Sequence, residues 1–513
     1  MMNNPIDRFL NLITMYRLVL YVLIILLAAA FLFSWFGLLP MSPWLLLFSV
    51  AFILAVCILA NETLAKIFLA PVNAESVYIT ALILALLITP PQSFLDGNYL
   101  EMAFWASLWA IASKFIFAIR RKHIFNPASF GVAVTALTLN QAASWWVGTL
   151  PLLPFVVIGG LLIVRKVQRF DLFWSFLIVG LISIAFGSLG FIRGFGSVGV
   201  LAWRSLAFTP ILFFGSVMVT EPLTMSPKRT ERVVYGALVG FLNAPWMHFG
   251  SLYLTPELAL LIGNIYTYIV SPKEKLLLTL TSKEQVADGV YHFRFSKERA
   301  LPFLPGQYLE WTLPLDCSDT RGNRRFLTIA SSPTEKELAI GVKFYPQSST
   351  FKQKLLAMEP GATIVASQKA GEFTMPKDPT RKLAFIAGGI GITPFRSMVQ
   401  YLVDQKEKRD VVLLYSNRTS ADIAYRDVFD AAEKKIGMKT VYTLTDRASV
   451  PKDWQGLSGY FDASVIRHVL PDYSERYFYI SGTHAMVAAM EQALHSLGVY
   501  RSHIHKDFFP GFA

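Results

Sequence analysis

The sequence predicts a multi-domain protein: a polytopic α-helical membrane domain of about ten spans, then an antiparallel β-barrel domain, then an α/β domain with a parallel sheet. Residues 17–270 consist of long apolar runs with few charges, whereas residues 273–513 have an ordinary mixed composition. Only 16% of all residues are charged, against about 25% in soluble domains. We therefore expect the membrane domain at 1–272, the barrel domain at 273–379 and the α/β domain at 380–513.

Ten apolar segments are candidates for spanning helices, because a span needs roughly 20 mainly apolar residues. They lie near residues 17–39, 43–61, 76–90, 99–119, 125–140, 149–164, 171–190, 199–220, 231–244 and 254–270. The first segment lacks a small-residue cleavage site, so we interpret it as a span and not as a removed signal.

The loops between these segments alternate in charge. The odd-numbered loops hold almost no Lys or Arg, with Arg193 as the exception, whereas the even-numbered loops are basic. Because basic loops stay in the cytoplasm, the pattern predicts an integral protein of a prokaryotic inner or plasma membrane, with both termini and the soluble part cytoplasmic. It also explains the net charge of +12 without a nucleic-acid partner, since no basic patch is interleaved with aromatic residues.

Two stretches of the membrane part combine prolines with polar residues. One is Asn126-Pro127-Ala128, and the other is Val219–Pro227, which contains Thr220 and Thr224. Proline leaves carbonyl groups unpaired, which a membrane tolerates where a cavity or ligand satisfies them, so polar residues there indicate a binding site. The alternative is two helix ends with ordinary turn chemistry.

Both stretches resemble signatures of flavin-carrying membrane subunits, namely the B subunit of the sodium-pumping NADH:quinone oxidoreductase and the D subunit of the Rnf complex. The resemblance covers residues 20–270 and implies a flavin-binding or conduit role for Asn126, Thr220 and Thr224. The Thr that carries covalent FMN in many members is missing from residues 194–199, so we expect any FMN or riboflavin to be non-covalent. Two cysteines, and two histidines in this half on opposite sides of the predicted membrane, argue against iron–sulfur clusters and haem, and no metal site is predicted.

The soluble part begins with alternating strands at 276–281, 290–295 and 307–313, which are typical of a small antiparallel barrel. Two motifs follow: Arg325-Phe326-Leu327-Thr328, and an apolar strand that runs into the glycine-rich turn 388–394. Glycines in such a turn let the backbone approach a dinucleotide, and the next helix directs its N-terminus at phosphate.

This order resembles the ferredoxin–NADP reductase-like family over residues 276–513, and implies FAD on the barrel and NAD(P)H on the α/β domain. On the flavin side, Arg325 would bind a phosphate and Thr328 the flavin ring or ribityl chain. Leu327 stands where the family commonly has a stacking aromatic, for which Phe326 is a substitute. The second phosphate-binding turn would use Lys343, Ser349 and Thr350, although Ser348–Thr350 also fits an ordinary helix N-cap.

On the nucleotide side the resemblance implies a turn, a ribose contact and a nicotinamide contact. Their residues are Gly388, Gly389, Gly391, Thr393 and Pro394 in the turn, Ser416 and Arg418 at the ribose, and Ser481 and Gly482 at the nicotinamide. Ser481 replaces a common Cys, and Phe509 would cover the flavin face, so Thr328, Ser481 and Phe509 are the candidate catalytic residues. NADH and NADPH both remain open.

The sequence therefore predicts a membrane-bound enzyme that oxidises cytoplasmic NAD(P)H. Electrons would pass through FAD to a carrier in the membrane domain, and on to a quinone or an extracytoplasmic redox protein. Two alternatives stay open: a redox-driven sodium transporter, and a simple reductase whose membrane part is only an anchor.

Overall fold

The computed structural model describes Leu10 and residues 13–68, 74–119, 122–188, 195–226, 228–271, 275–297, 301–315, 319 and 323–508. The chain divides into two compact units, one from Ile13 to Lys273 and one that includes Glu274–Ala513. The protein is therefore multi-domain, as its composition predicts.

The first unit is helical. Its helices are α1 (Met15–Trp35), α2 (Pro43–Ile67), α3 (Ala74–Leu87), α4 (Gly97–Ile116), α5 (Pro127–Leu139), α6 (Leu153–Val167), α7 (Phe170–Gly187), α8 (Phe195–Phe208), α9 (Ile211–Phe213), which continues as a π-helix over Phe214–Met218, α10 (Arg229–Leu242) and α11 (Pro256–Val270). Two short hairpins join β1 (Ala118–Ile119) to β2 (Lys122–His123) and β3 (His248–Phe249) to β4 (Leu252–Tyr253). Each of the ten predicted apolar segments contains a helix.

The prediction of about ten spans is too high. Four helical stretches in the described part are long and apolar enough to cross a membrane: Met15–Trp35, Pro43–Ile67, Leu150–Val167 and Phe170–Gly187. A fifth would arise if Val198–Phe208 and Ile211–Met218, bent by 71°, form one broken span. Several other helices are too short, since α5 has 13 residues and rises only about 20 Å at 1.5 Å per residue, against roughly 30 Å of hydrocarbon. Helix α4 has 20 residues, but it is not among the stretches that are both long and apolar enough. The predicted sidedness stays a prediction.

The second unit opens with six antiparallel strands. They are β5 (Lys275–Ala287), β6 (Val290–Lys297), β7 (Tyr308–Thr312), β8 (Arg324–Thr328), β9 (Leu338–Lys343) and β10 (Thr363–Ala370), in the sheet order β8-β7-β10-β5-β6-β9. The helix α12 (Thr350–Leu356) precedes β10. One backbone bond, from Ala330 to the carbonyl of Ala339, links the chain after β8 to β9 at 2.7 Å. The strands thus lie as the sequence predicts, while closure into a barrel stays a prediction.

A parallel six-stranded sheet completes this unit. Its strands are β11 (Leu383–Gly388), β12 (Val411–Asn417), β13 (Lys439–Leu444), β14 (Leu457–Ser458), β15 (Tyr477–Gly482) and β16 (Ile504–Phe508), ordered β14-β13-β12-β11-β15-β16. Leu383 and Phe385 enter one buried cluster with residues of α13 (Thr393–Gln405), whereas Ala384 and Ile386 enter another with residues of α15 (Ala463–Val469) and α16 (His484–Ser496). Burial on both faces explains why β11 is an uninterrupted apolar run.

Candidate functional site

The glycine-rich turn lies at the carboxyl edge of the parallel sheet. Gly388 is in register with Ser416 on β12, and Ala387 with Ser481 on β15, so the predicted nucleotide contacts share one edge. Open α/β sheets bind ligands at this edge. The ribose and nicotinamide residues predicted from the sequence therefore lie on strands adjacent to the turn.

Two glycines of the turn have distinct reasons to be glycine. Gly389 adopts φ +52° in open space, a conformation costly for most side chains. Gly391 approaches β15 so closely that a Cβ would lie 2.6 Å from the carbonyl carbon of Ser481 and overlap its oxygen. The first glycine thus shapes the turn, and the second allows it to pack on the strand.

The turn delivers its backbone to the start of α13. Thr393 is the first residue of this helix and is buried, and Pro394 occupies the following position. Pro suits the first turn of a helix because the N–H that it lacks has no partner within the helix. The N–H of Thr393 donates to the carbonyl of Ile390 in the short helical turn before α13, and the helix dipole favours an anion at this end.

Ser481, which is buried, and Asp507, which is partly buried, occupy paired strand positions. They face each other in register on β15 and β16, and within the described residues neither the Ser481 hydroxyl nor Oδ2 of Asp507 has a hydrogen-bond partner. Burial raises the pKa of Asp507 to about 7. Buried polar atoms without partners are rare in proteins and call for an explanation such as a bound ligand. Asp507 is not among the site residues predicted from the sequence, although it lies two positions before Phe509, which is one of them.

The ribose residues differ in exposure. Ser416 is half-buried at the end of β12, whereas 79% of the Arg418 side chain is exposed, with its Nε 3.9 Å from a carboxylate oxygen of Asp446. An exposed guanidinium can swing toward a phosphate, and it is equally typical of a solvated turn. NADH and NADPH therefore remain open.

The flavin motif occupies β8, an edge strand of the antiparallel sheet. Arg325 and Thr328 are buried, and the Thr328 hydroxyl has no partner within the described part of the chain. Phe326 is exposed and packs edge-on against Tyr308, 5.6 Å between centroids, whereas Leu327 packs on the sheet core. Because adjacent strand residues point to opposite faces, Phe326 does not take the place of Leu327 on its own face.

The predicted second phosphate turn meets this strand. The guanidinium of Arg325 lies 5.1 Å from the ring centroid of Phe351, in the first turn of α12, which Ser349 caps by accepting from the N–H of Lys352. The N–H of Thr350 donates to Asp319 at 3.0 Å. A cation and a helix N-terminus thus converge, with a carboxylate standing where the dipole favours an anion. The N-cap alternative and the phosphate turn are both compatible with this geometry.

Lys343, predicted for the second phosphate turn, forms an ion pair in the described structure. Its ammonium forms an ion pair with Asp422, 2.6 Å away, and both side chains are largely buried. Asp422 closes the capping box of Thr419. Lys343 therefore ties β9 to the segment after β12, because a buried cation needs its partner. Phe509 lies outside the described residues.

In the helical unit, the two proline motifs meet. Asn126 caps α5 through Ser129, and its side-chain nitrogen donates to a carboxylate oxygen of Glu221 at 2.8 Å. The Thr224 hydroxyl lies 3.3 Å from the same oxygen. The helix-end reading is thus correct for the cap, and the two motifs are in addition joined through Glu221.

Helix α11 completes this arrangement. Asn264 accepts from the backbone N–H of Asn126 at 2.8 Å and lies 3.3 Å from the Tyr235 hydroxyl, and Thr267 donates to the carbonyl of Thr224 at 2.6 Å. We call Asn126, Glu221, Tyr235, Thr224, Asn264 and Thr267 the motif cluster. Thr220 does not join it, since its hydroxyl bonds the carbonyl of Ser216 within the π-helix. Glu221 lies within the stretch Val219–Pro227 but was not predicted as a site residue, and nothing in the local sequence marks Asn264.

Comparisons with known proteins bear on the second unit. Residues 385–492 match the family described as Oxidoreductase NAD-binding domain. The chain is 28% identical over 209 residues to the glycine betaine monooxygenase reductase subunit of Chromohalobacter salexigens, covering 40% of this chain and 56% of that protein. It is 29% identical to the stachydrine N-demethylase reductase subunit Stc4 of Rhizobium meliloti (46% and 68%) and 26% identical to a flavohemoprotein of Bacillus cereus (45% and 60%).

The chain spans little more than half the length of the first of these relatives. Among solved structures, the Amycolatopsis cytochrome P450 reductase GcoB is 22% identical with a TM-score of 0.42, over 46% of this chain and 71% of that one, a likeness too low to inform fold or function. The comparisons thus support a C-terminal reductase-like region that binds NAD, and leave the resemblance of residues 20–270 to the flavin-carrying membrane subunits a prediction.

Proposed function

We propose that the protein is a membrane-bound flavoprotein that oxidises NAD(P)H. Electrons would pass through FAD to a carrier in the helical unit, and then to a quinone or an extracytoplasmic redox protein. The observation that supports this most is that α13, which begins at the nucleotide turn, bonds directly to the carbonyl groups of Ala330 and Ser331, two and three residues after Thr328. A hydride donor and acceptor must be neighbours, and these bonds support the proposal because they join the two segments on which the sites are predicted.

The residues on the flavin side fit FAD. Thr328 offers a buried hydroxyl that lacks a partner within the described chain, and Arg325 offers a cation near a helix N-terminus that would bind phosphate through charge-assisted bonds. Ser349 and Thr350 would add hydroxyl groups, and Phe326, Leu327 and Lys343 would border the site.

The residues on the nucleotide side fit NAD(P)H. Gly388, Gly389 and Gly391 leave the backbone accessible, Thr393 and Pro394 start the helix that faces the phosphates, and Ser416 and Arg418 would contact the ribose. Ser481 and Gly482 would orient the nicotinamide, and Phe509 would cover the flavin. FAD held there would supply the acceptor for the hydride of NAD(P)H, with a proton taken up from solvent and NAD(P)⁺ released. The protein contributes orientation and exclusion of water.

The motif cluster is the proposed site of the second carrier, a non-covalent FMN or riboflavin. A partly buried hydrogen bond between Asn126 and Glu221 joins the two signature stretches, and polar groups among apolar helices are costly unless they serve a function. Cofactor extraction tests this: two flavins per chain support it, and one flavin per chain contradicts it.

A redox-driven sodium transporter is the second candidate. The observation that favours it is the Glu221 carboxylate among amide and hydroxyl groups, since hard cations prefer oxygen ligands. Sodium-stimulated NADH oxidation in proteoliposomes would support it, and an equal rate in potassium medium would contradict it. The anchor alternative predicts full activity of the second unit with a water-soluble acceptor and a single flavin.

The proposed oxidation is tested by spectroscopy of the purified protein. We expect a flavin absorbance band that bleaches under anaerobic conditions on addition of NADH or NADPH. Comparing the two nucleotides would also determine the preference that Ser416 and Arg418 leave open.

A further inference from the structure

Two side chains of α13 reach across to the segment after β8. Arg396 donates to the carbonyl of Ala330 at 3.0 Å and binds both carboxylate oxygens of Glu335, with 3.0 Å between Nη2 and Oε1. Ser397 donates to the carbonyl of Ser331 at 2.7 Å. Since Arg396 lies three residues after Thr393, one helical turn separates these bonds from the nucleotide turn.

Arg396 and Glu335 form an ion pair with two parallel hydrogen bonds, a fork in which the arginine is buried and the glutamate is partly exposed. Arg396 is 6% exposed and lies 5.9 Å from the ring centroid of Tyr425. Glu335 also accepts from the N–H of Ser332 at 2.5 Å. A buried ion pair adds little net stability after desolvation, whereas a bidentate arginine–carboxylate pair adds geometric specificity. We therefore expect the Arg396–Glu335 pair to fix the position of α13 and to add little to the free energy of folding.

Strand β9 also contacts the first turn of α13. A Cβ on Gly341 would lie 2.9 Å from Cγ2 of Thr393 and overlap the Tyr425 hydroxyl, so β9 packs directly on the start of α13. His292, opposite Gly341 in the sheet, lies with Nδ1 3.0 Å from that hydroxyl. Close packing leaves α13 little freedom to shift along β9, and the fork fixes it relative to the chain after β8.

We propose that Arg396 and Glu335 are positioning residues, which hold the nucleotide turn at the distance and angle from β8 that hydride transfer requires. The inference rests on the proposed NAD(P)H oxidation and names residues that neither the sequence motifs nor the comparisons assign. Reacting atoms must approach to about 3–3.5 Å, and a displacement of about 1 Å can cost about 100-fold in rate. The fork lies within a few residues of both the nucleotide turn and β8, so it limits displacement of one relative to the other.

The test uses the full-length protein in detergent and three variants. Arg396→Lys keeps the charge but loses the fork, and the double variant Arg396→Met/Glu335→Gln removes both charges, so that no buried charge is left unpaired. Lys382→Met is the matched control, because it breaks an ion pair of the same unit, with Asp472 and Glu475, at the end of β11 opposite to the nucleotide turn. Stopped-flow measurements give the limiting rate of flavin reduction and the nucleotide dissociation constant, and 4-deuterated NAD(P)H gives the isotope effect.

We expect Arg396→Lys to lower the limiting rate by about 10- to 100-fold, with flavin content and nucleotide affinity nearly unchanged and a larger isotope effect. An unchanged rate, or a rate that falls only in proportion to flavin content, would overturn the proposal. If the double variant does not fold, the Lys variant alone decides. A wild-type protein whose flavin is not reduced by either nucleotide would refute the proposed function itself, whereas normal reduction in all variants would refute only the positioning role.

Discussion

Gly391 lies against the backbone of Ser481, so closely that the turn after β11 has no room for a methyl group. The contact joins the two halves of the predicted dinucleotide site, the turn and the nicotinamide strand. The effect of losing this contact can be measured by comparing a substitution at Gly391 with one at a turn glycine that has open space around it.

Replacement of Gly391 by Ala should displace the turn from β15. Overpacking costs about 1–3 kcal/mol, and we expect a lower melting temperature together with weaker NAD(P)H binding. The matched control is Gly437→Asn, since Gly437 ends α14 (Arg426–Ile436) at φ +73° with open space around it and Asn tolerates this conformation. Equal effects of the two changes would argue against the contact.

Arg325 should govern flavin retention. Hydrogen bonds to charged groups are worth about 1.5–3 kcal/mol, so Arg325→Met should weaken FAD binding by about 10- to 100-fold, measured by equilibrium dialysis of the apoprotein. The neighbouring Arg324 serves as control, because it lies 3.5 Å from Glu310 and is more exposed. If Arg324→Met releases FAD as readily, the phosphate role of Arg325 is refuted.

Asp507 should make stability depend on pH. Its pKa rises from 3.8 to about 7 in the folded protein because of burial, so between about pH 4 and pH 7 the folded state binds a proton that the unfolded state has lost. The contribution of Asp507 to stability should therefore be fully present near pH 4 and be lost as the pH rises toward 7. Asp507→Asn should abolish this part of the pH dependence of the melting temperature, and parallel curves for both proteins would contradict the assignment.

Glu221 should be needed for the second carrier. Glu221→Gln keeps the size and an oxygen near Asn126 but removes the charge, and we expect one flavin per chain to be lost while reduction of FAD by NAD(P)H continues. The control is Thr220→Val, since the Thr220 hydroxyl bonds within its own helix. Loss of both flavins would indicate a folding defect and not a site.

The sequence predicted the strands and the turn of the second unit well, because local patterns determine them. The run Leu383–Ala387 is apolar at every position and the glycines follow at once, so both strand and turn are readable without tertiary information. The number of spans was overestimated because an apolar composition does not report helix length: α5 begins at Pro127 and ends before Asn140.

Long-range pairing could not be read from the sequence. Arg396 and Glu335 are 61 residues apart, and Asn126 and Asn264 are 138 apart, and no local pattern links them. Leu327 and Phe326 illustrate a finer limit, since side chains alternate on β8 and the two residues therefore face opposite sides of the strand, which the motif resemblance did not take into account.

The most direct test of the central claim is an anaerobic titration of the intact, detergent-purified protein with NADH and with NADPH, followed by flavin absorbance. The account predicts bleaching by at least one nucleotide, with the amount of nucleotide consumed matching the flavins reduced. A protein that contains no flavin, or whose flavin stays oxidised with both nucleotides, would contradict it.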